Sequence, residues 1–229
     1  MHQPANMSED MAVFFDHRAS GYERHMFANV EDVVAFYASL ADALPLEPAS
    51  PDVLDLGIGT GLELDALFDR LPHASVTGID LSTGMLRRLA RKRRRWPGRI
   101  NVITGSFLTL DLGTRTYDAV VSSMALHHWI PSVKLDLYRR VHAALRSNGV
   151  FVNADYVASA DESERRLQAF ASAGRRPDHH DHVDLPLSED REIDLLRQAG
   201  FSTVAVTFRR SNACTFRATV PGETREATG

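Results

Sequence analysis

The chain of 229 residues predicts an α/β fold, a doubly wound sheet of mostly parallel strands, on three observations. A short apolar run at 53–56 reads as a buried parallel strand, because strands covered on both faces carry continuous apolar residues. Glycines at 57, 59 and 61 follow directly, and 62–68 reads as a helix, so strand, glycine turn and helix come in succession. A second apolar strand, 75–79, ends on Asp80.

The glycine turn lets a ligand approach the backbone. The helix after it offers unpaired N–H groups and a positive dipole end. Asp80 stands where a carboxylate accepts two hydroxyl hydrogen bonds from a ribose. The dinucleotide pattern G-x-G-x-x-G requires glycine at position 62, which is Leu62, and no G-K-[ST] follows, which excludes a P-loop.

The D-x-G-x-G-x-G run, Asp55 to Gly61, resembles the class I S-adenosylmethionine (SAM) methyltransferases. The segments Asp80-Leu81-Ser82-Thr83-Gly84-Met85-Leu86 and Tyr117-Asp118-Ala119-Val120-Val121-Ser122-Ser123-Met124-Ala125-Leu126-His127-His128 strengthen the resemblance, which covers about residues 10–220. It implies a seven-stranded sheet of order 3-2-1-4-5-7-6 with the last strand antiparallel. It also implies that Asp55, Gly57, Gly59 and Gly61 hold the methionine end of SAM and that Asp80 takes the ribose. Leu81, Met85, Ser106 and Phe107 would border the adenine, and Ser123 would line the same site. The family usually carries an acid where this chain has Ser106, a weaker acceptor than a carboxylate.

The remaining elements follow in order. Residues 8–17 read as a short helix capped by Ser8, interrupted at Gly21. The segment is rich in aromatics, Phe14, Phe15, Tyr22 and Phe27. Its Phe-Asp-x-Arg-Ala-x-x-Tyr pattern resembles the N-terminal lid of small-molecule methyltransferases, which places Tyr22 at the cofactor or substrate. Residues 31–44 read as a helix by their apolar spacing, and prolines at 45, 48 and 51 end it. The basic run 87–99 reads as a solvated helix face with Leu86, Leu89 and Trp96 inward. Strands are expected at 100–103 and 118–121, a helix at 132–145, a turn at Asn148 and a strand after it. Helices at 161–174 and 188–199 and a hairpin of strands at 203–208 and 213–218 complete the chain.

Three segments are assigned: 1–45 a helical lid, 46–220 the SAM-binding domain, and 221–229 a disordered tail. His127 and His128 follow the fourth strand at the ligand edge of the sheet and are the candidate bases, with Tyr22. Adjacent histidines on a turn are expected to point apart, one into the pocket. Residues 178–184 hold three aspartates and three histidines, ligand types for a divalent metal, but no regular spacing; they read as a solvated loop ahead of a substrate contact or a metal site, and no metal is expected.

Net charge is −4 and pI about 6.2, which gives no global case for nucleic acid or an anionic membrane. The single cysteine, Cys214, excludes an intramolecular disulfide and suits a reducing cytoplasm. No apolar run approaches a membrane span, and the first residues lack the pattern of a signal peptide. The expectation is a cytoplasmic, bacterial SAM-dependent methyltransferase, a monomer or homodimer, acting on a small molecule by in-line displacement. The rival readings are a tRNA-modifying enzyme using the arginine-rich helix, a non-catalytic SAM-binding protein, and a nicotinamide enzyme, which the glycine spacing disfavours.

Overall fold

The chain opens with three helices, α1 (Met11–Arg18), α2 (Tyr22–Asn29) and α3 (Val33–Asp42), in a computed structural model that describes residues 9–175 and 181–222. Strand and helix then alternate: β1 (Asp52–Leu56), α4 (Leu64–Arg70), β2 (Ser75–Asp80), α5 (Thr83–Lys92), β3 (Ile100–Thr104), β4 (Tyr117–Ser123), α6 (Pro131–Ala144) and β5 (Leu145–Tyr156). Helices α7 (Ala160–Ser172) and α8 (Glu189–Gln198) precede the hairpin of β6 (Thr203–Arg210) and β7 (Ala213–Thr219). The sheet order is β3-β2-β1-β4-β5-β7-β6, as the resemblance implies. The five strands from β3 to β5 pair in parallel, and β7 runs antiparallel to both neighbours.

Alternation along the strands builds a core on each face of the sheet. Val53, Ala119, Val121, Val150 and Val152 point toward α3, α4 and α5. Leu54, Val120 and Phe151 point the other way, toward α6 and α8. Phe36 and Leu40 of α3 are fully buried in the first layer. Each contributes about 1.5–3 kcal/mol by leaving water. Helix α3 therefore belongs to the layer covering the sheet, while α1 and α2 lie over the ends of the strands that form the pockets described below.

Several boundaries differ from the sequence reading, each for a local reason. Asp10 caps α1, accepting from the Val13 amide at 3.1 Å; Ser8 lies outside the described residues. The predicted helix 31–44 is shorter, because Asp32 takes a left-handed conformation at φ 52° and α3 begins after it. The helix read at 62–68 begins only at Leu64, because a turn closed by Gly61 N–H to Ile58 O carries the chain past the glycines first. The basic face of α5 is solvated as expected: Arg87, Arg91, Arg93, Arg94 and Arg95 are exposed. Trp96 packs on Phe68 with ring centroids 4.7 Å apart. Of the expected tail, 223–229 lie outside the described residues.

Candidate active site

The carboxyl ends of β1, β2 and β4 open into a narrow pocket of about 60 Å³. Gly57, Gly59, Asp80, Leu81, Met85, Phe107 and Ser123 line it from the sheet side, and Met11, Phe15 and Tyr22 close it from the N-terminal helices. The three turn glycines all have positive φ, 81°, 52° and 70°. They differ in surroundings. A Cβ on Gly59 would meet only Gly57 O at 3.7 Å and Asp80 Oδ2 at 4.0 Å, so it would stand in the pocket. A Cβ on Gly61 would strike Leu64 at 2.5 Å and Leu89 at 2.9 Å. Gly61 is therefore a packing glycine behind the pocket rather than a residue of its lining.

Asp80 accepts from the amides of Gly59 and Ser82, at 2.8 and 2.7 Å. Burial outweighs these bonds and pushes its pKa up to about 6. Behind the glycines lies a stronger anomaly. Asp55 and Glu63 are both buried, at 0% and 2% exposure. No donor among the described residues reaches either oxygen of Asp55 or Oε1 of Glu63. Burial raises the pKa of both, and each carboxylate's nearness to the other raises that of Asp55 further. Ser123, which lines the pocket, donates to Oε2 of Glu63 at 3.1 Å. The Lys92 charge acts on Glu63, and no cation among the described residues acts on Asp55; two buried carboxyls so poorly compensated are costly.

Ser106 and Leu81 line an adjoining cavity of about 400 Å³ beside the pocket. The Ser106 hydroxyl accepts from the Leu108 amide at 3.2 Å, closing its own turn. Helix α1 is tied down at the same place. Asp16 of α1 accepts from the Ser82 hydroxyl at 2.5 Å and the Gly84 amide at 2.7 Å, capping α5 from across the pocket. Those donors hold its carboxyl below the usual range.

A larger cavity of about 480 Å³ adjoins the pocket, lined by aromatics and histidines, among them Phe14, Phe15, Tyr22, His127, His128 and His182. Tyr22, Phe15, Met124 and His128 line both spaces. His127 lines only the larger one. The expectation that the adjacent histidines diverge is overturned: both reach this cavity, with ring centroids 4.0 Å apart and planes tilted by 48°. Their Nδ1 atoms are drawn to different anchors. His127 Nδ1 bonds Asp155 at 2.5 Å, and His128 Nδ1 lies 3.1 Å from the Val183 carbonyl. Nε2 of His128 is buried with no partner among the described residues.

The electrostatics of the pair follow from these anchors. Burial opposes charge on His127, but Asp155 and Asp184 overcome it and push its pKa up to about 9. Burial and the neighbouring His127 push His128 down. Burial phenol-deep in the pocket, with Glu63 and Asp80 near, holds Tyr22 protonated. The loop read as solvated contributes too. His182 stacks on Phe14 with ring centroids 3.4 Å apart, and its amide bonds Glu9 O at 2.8 Å. Asp178, His179 and His180 lie outside the described residues. Phe27, grouped with the lid aromatics, is 56% exposed and takes no part.

Glu63, Asp16, Asp155 and Asp184 were not assigned cofactor or catalytic roles from sequence. A signal existed for two: Glu63 follows the glycines by two residues, and Asp155 stands one residue before the end of the fifth strand.

Residues 53–149 match the family described as methyltransferase domain, on a sheet of the order that resemblance to the class I, SAM-dependent methyltransferases implies. An uncharacterized methyltransferase of Geobacillus sp. (strain WCH70) is 28% identical over 216 residues, 90% of this chain and 91% of that protein. The carboxy-S-adenosyl-L-methionine synthase of Nautilia profundicola is 24% identical, over 72% of this chain and 75% of that one. Among solved structures, the 1,6-didemethyltoxoflavin-N1-methyltransferase of Burkholderia thailandensis, with 1,6-didemethyltoxoflavin and S-adenosylhomocysteine bound, has a TM-score of 0.65. It is 20% identical and covers 96% of this chain and 93% of its own. Other solved methyltransferases are longer, and the chain spans about three-fifths of their length. The methyltransferase has no helix among its described residues that is long and apolar enough to cross a membrane.

Proposed function

We propose that this methyltransferase binds SAM in the glycine-lined pocket and transfers the methyl group to a small molecule held in the adjoining cavity. The observation that carries this reading is the buried Asp55–Glu63 pair, whose four oxygens include three with no donor among the described residues, beside a pocket with room at Gly59. That is the counterpart of the cationic end of SAM. Asp80 accepts the ribose hydroxyls, Leu81, Met85, Ser106 and Phe107 border the adenine, and Ser123 orients Glu63.

When bound, SAM supplies a methyl group already activated by the sulfonium, so the chain's work is alignment and exclusion of water. Residues 9–30, within the expected lid segment, provide the exclusion: Met11, Phe15 and Tyr22 close the pocket, and Asp16 fastens them to the loop after Asp80. Tyr22 and His128 stand at the junction of the two spaces, where an acceptor atom must lie in line with the methyl group. Phe14, Phe15 and Tyr156 line the larger cavity with ring surface that suits a planar acceptor. The single cysteine is buried and free, in keeping with a cytoplasmic setting.

Calorimetric titration with SAM, S-adenosylhomocysteine (SAH) and NADH tests the cofactor. Micromolar binding of SAM or SAH, absent for NADH and lost in Asp80→Ala, is expected. No binding of either sulfur ligand, or equal binding of NADH, overturns it. A second reading is favoured by the carboxy-S-adenosyl-L-methionine synthases among the relatives. In it SAM is itself the molecule modified. Mass spectrometry of turnover mixtures separates the two: SAH plus a methylated acceptor supports the first, a carboxylated SAM the second.

A further inference from the structure

We propose that His127, His128 and Asp184 form a binding site for a first-row divalent metal ion on the wall of the larger cavity. This goes beyond methyl transfer and is tested without it. One ligand atom from each of the three lies within 4.8 Å of the others. Asp184 Oδ1 is the focus. His127 Nε2 stands 3.5 Å from it, His128 Nδ1 3.3 Å and His182 Nε2 3.7 Å. Ligands held tetrahedrally at zinc-like bond lengths stand about 3.3–3.4 Å apart. Two of the edges are therefore close to the right length before any ion is bound.

The surroundings match a metal centre as well. His127 keeps Nε2 toward the cluster because its Nδ1 is engaged by Asp155, and Asp155 is fixed in turn by the amides of Leu126 and Tyr156 at 2.9 and 2.8 Å. A carboxylate behind a ligating imidazole sets its tautomer and orientation. His128 Nδ1 donates to the Val183 carbonyl at 3.1 Å, and ligation through Nδ1 would displace that proton. His127 and His128 are rigidly buried, at 5% and 2% exposure, while the Asp184 side chain is 52% exposed and free to adjust. The cluster opens on the cavity, which leaves room for exogenous ligands. Two imidazoles and one carboxylate favour zinc, iron, cobalt or manganese over magnesium or calcium, whose sites are built from oxygen. The sequence hid the site because its ligands come from two segments, the turn after β4 and the loop before α8.

Untagged protein stripped with a chelator and titrated with Co²⁺ tests the proposal, with visible absorption as the readout. The expected result is one saturable equivalent with the bands of a low-symmetry nitrogen–oxygen site. Asp184→Asn and His127→Gln should each lower the Co²⁺ affinity at least tenfold, Asp155→Asn by a smaller factor, and His73→Gln, at an exposed surface position, not at all. SAH titration of each variant reports folding separately; Asp184→Asn, at a half-exposed side chain, should keep its SAH affinity. Absence of a saturable equivalent, or affinity within twofold of the parent in both Asp184→Asn and His127→Gln, overturns the site.

Discussion

Cofactor affinity should depend on pH through two separate carboxylate sites, and shortening the ligand should separate them. The perturbation is removal of the amino-acid end: SAH against 5′-methylthioadenosine, which keeps adenine and ribose but has no ammonium. Asp80 must be ionised to accept two hydroxyls, and burial has raised its pKa to about 6. Its ionised fraction falls from about 0.9 at pH 7 to about 0.1 at pH 5, so a ligand that needs Asp80 alone loses about tenfold in affinity over that window and is flat above it. Asp55 and Glu63 add a second dependence. Both pKa values are raised by burial in the free protein. An ammonium beside the pair favours its ionised form, so binding expels a proton. Each proton released is worth a factor of about ten in dissociation constant per pH unit, 1.36 kcal/mol. SAH should therefore lose more than tenfold between pH 7 and 5, a steeper fall than that of methylthioadenosine over the same range. Isothermal calorimetry across this range reads both curves. Superimposable profiles for the two ligands, or SAH binding that tightens as pH falls, would refute the assignment of the carboxylate pair to the cationic end.

The glycine turn separates binding from stability. Gly59→Ala should cost only about 1–2 kcal/mol, the strain of a left-handed residue, yet lower SAH affinity at least tenfold, because its methyl group enters the pocket. Gly61→Ala adds a clash with Leu64 and Leu89 and should cost about 2–5 kcal/mol in urea denaturation. Asp16→Ala removes the bonds to Ser82 and Gly84 and should speed SAH exchange about tenfold in stopped flow, the scale of losing charge-assisted hydrogen bonds. Lys134 of α6 pairs with Glu192 of α8, both fully buried, with Tyr138 donating to the same carboxylate at 2.7 Å. Lys134→Met leaves Glu192 uncompensated and should cost about 3–5 kcal/mol of stability, with SAH affinity changed less than twofold.

What could be read from sequence, and what could not, divides along the distance between partners in the chain. The strand, the glycine turn and Asp80 are legible because backbone conformation and one carboxylate at a strand end build that half of the site. The sheet order follows from resemblance to known methyltransferases, since nothing local dictates that β6 and β7 return as an antiparallel pair beside β5. Side-chain roles that depend on long-range meeting were hidden. Asp16 reaches Ser82 across 66 positions, and His127 meets Asp155 only because β4 and β5 end side by side. The serine at 106 shows the limit in the other direction. It reads as a weak substitute for an adenine-binding acid, but in the fold its hydroxyl accepts from Leu108 and shapes its own turn, so one lone pair is already engaged. On the proposed reading, adenine recognition rests more on the apolar walls of Leu81, Met85 and Phe107, which line the pocket, than on that polar position. A site of this kind discriminates poorly among flat bases and well against a missing ribose or a missing ammonium. On the proposed reading, specificity for SAM is carried by Asp80 and the Asp55–Glu63 pair, and Ser106→Ala should bind SAH within about threefold of the parent while Asp80→Ala does not.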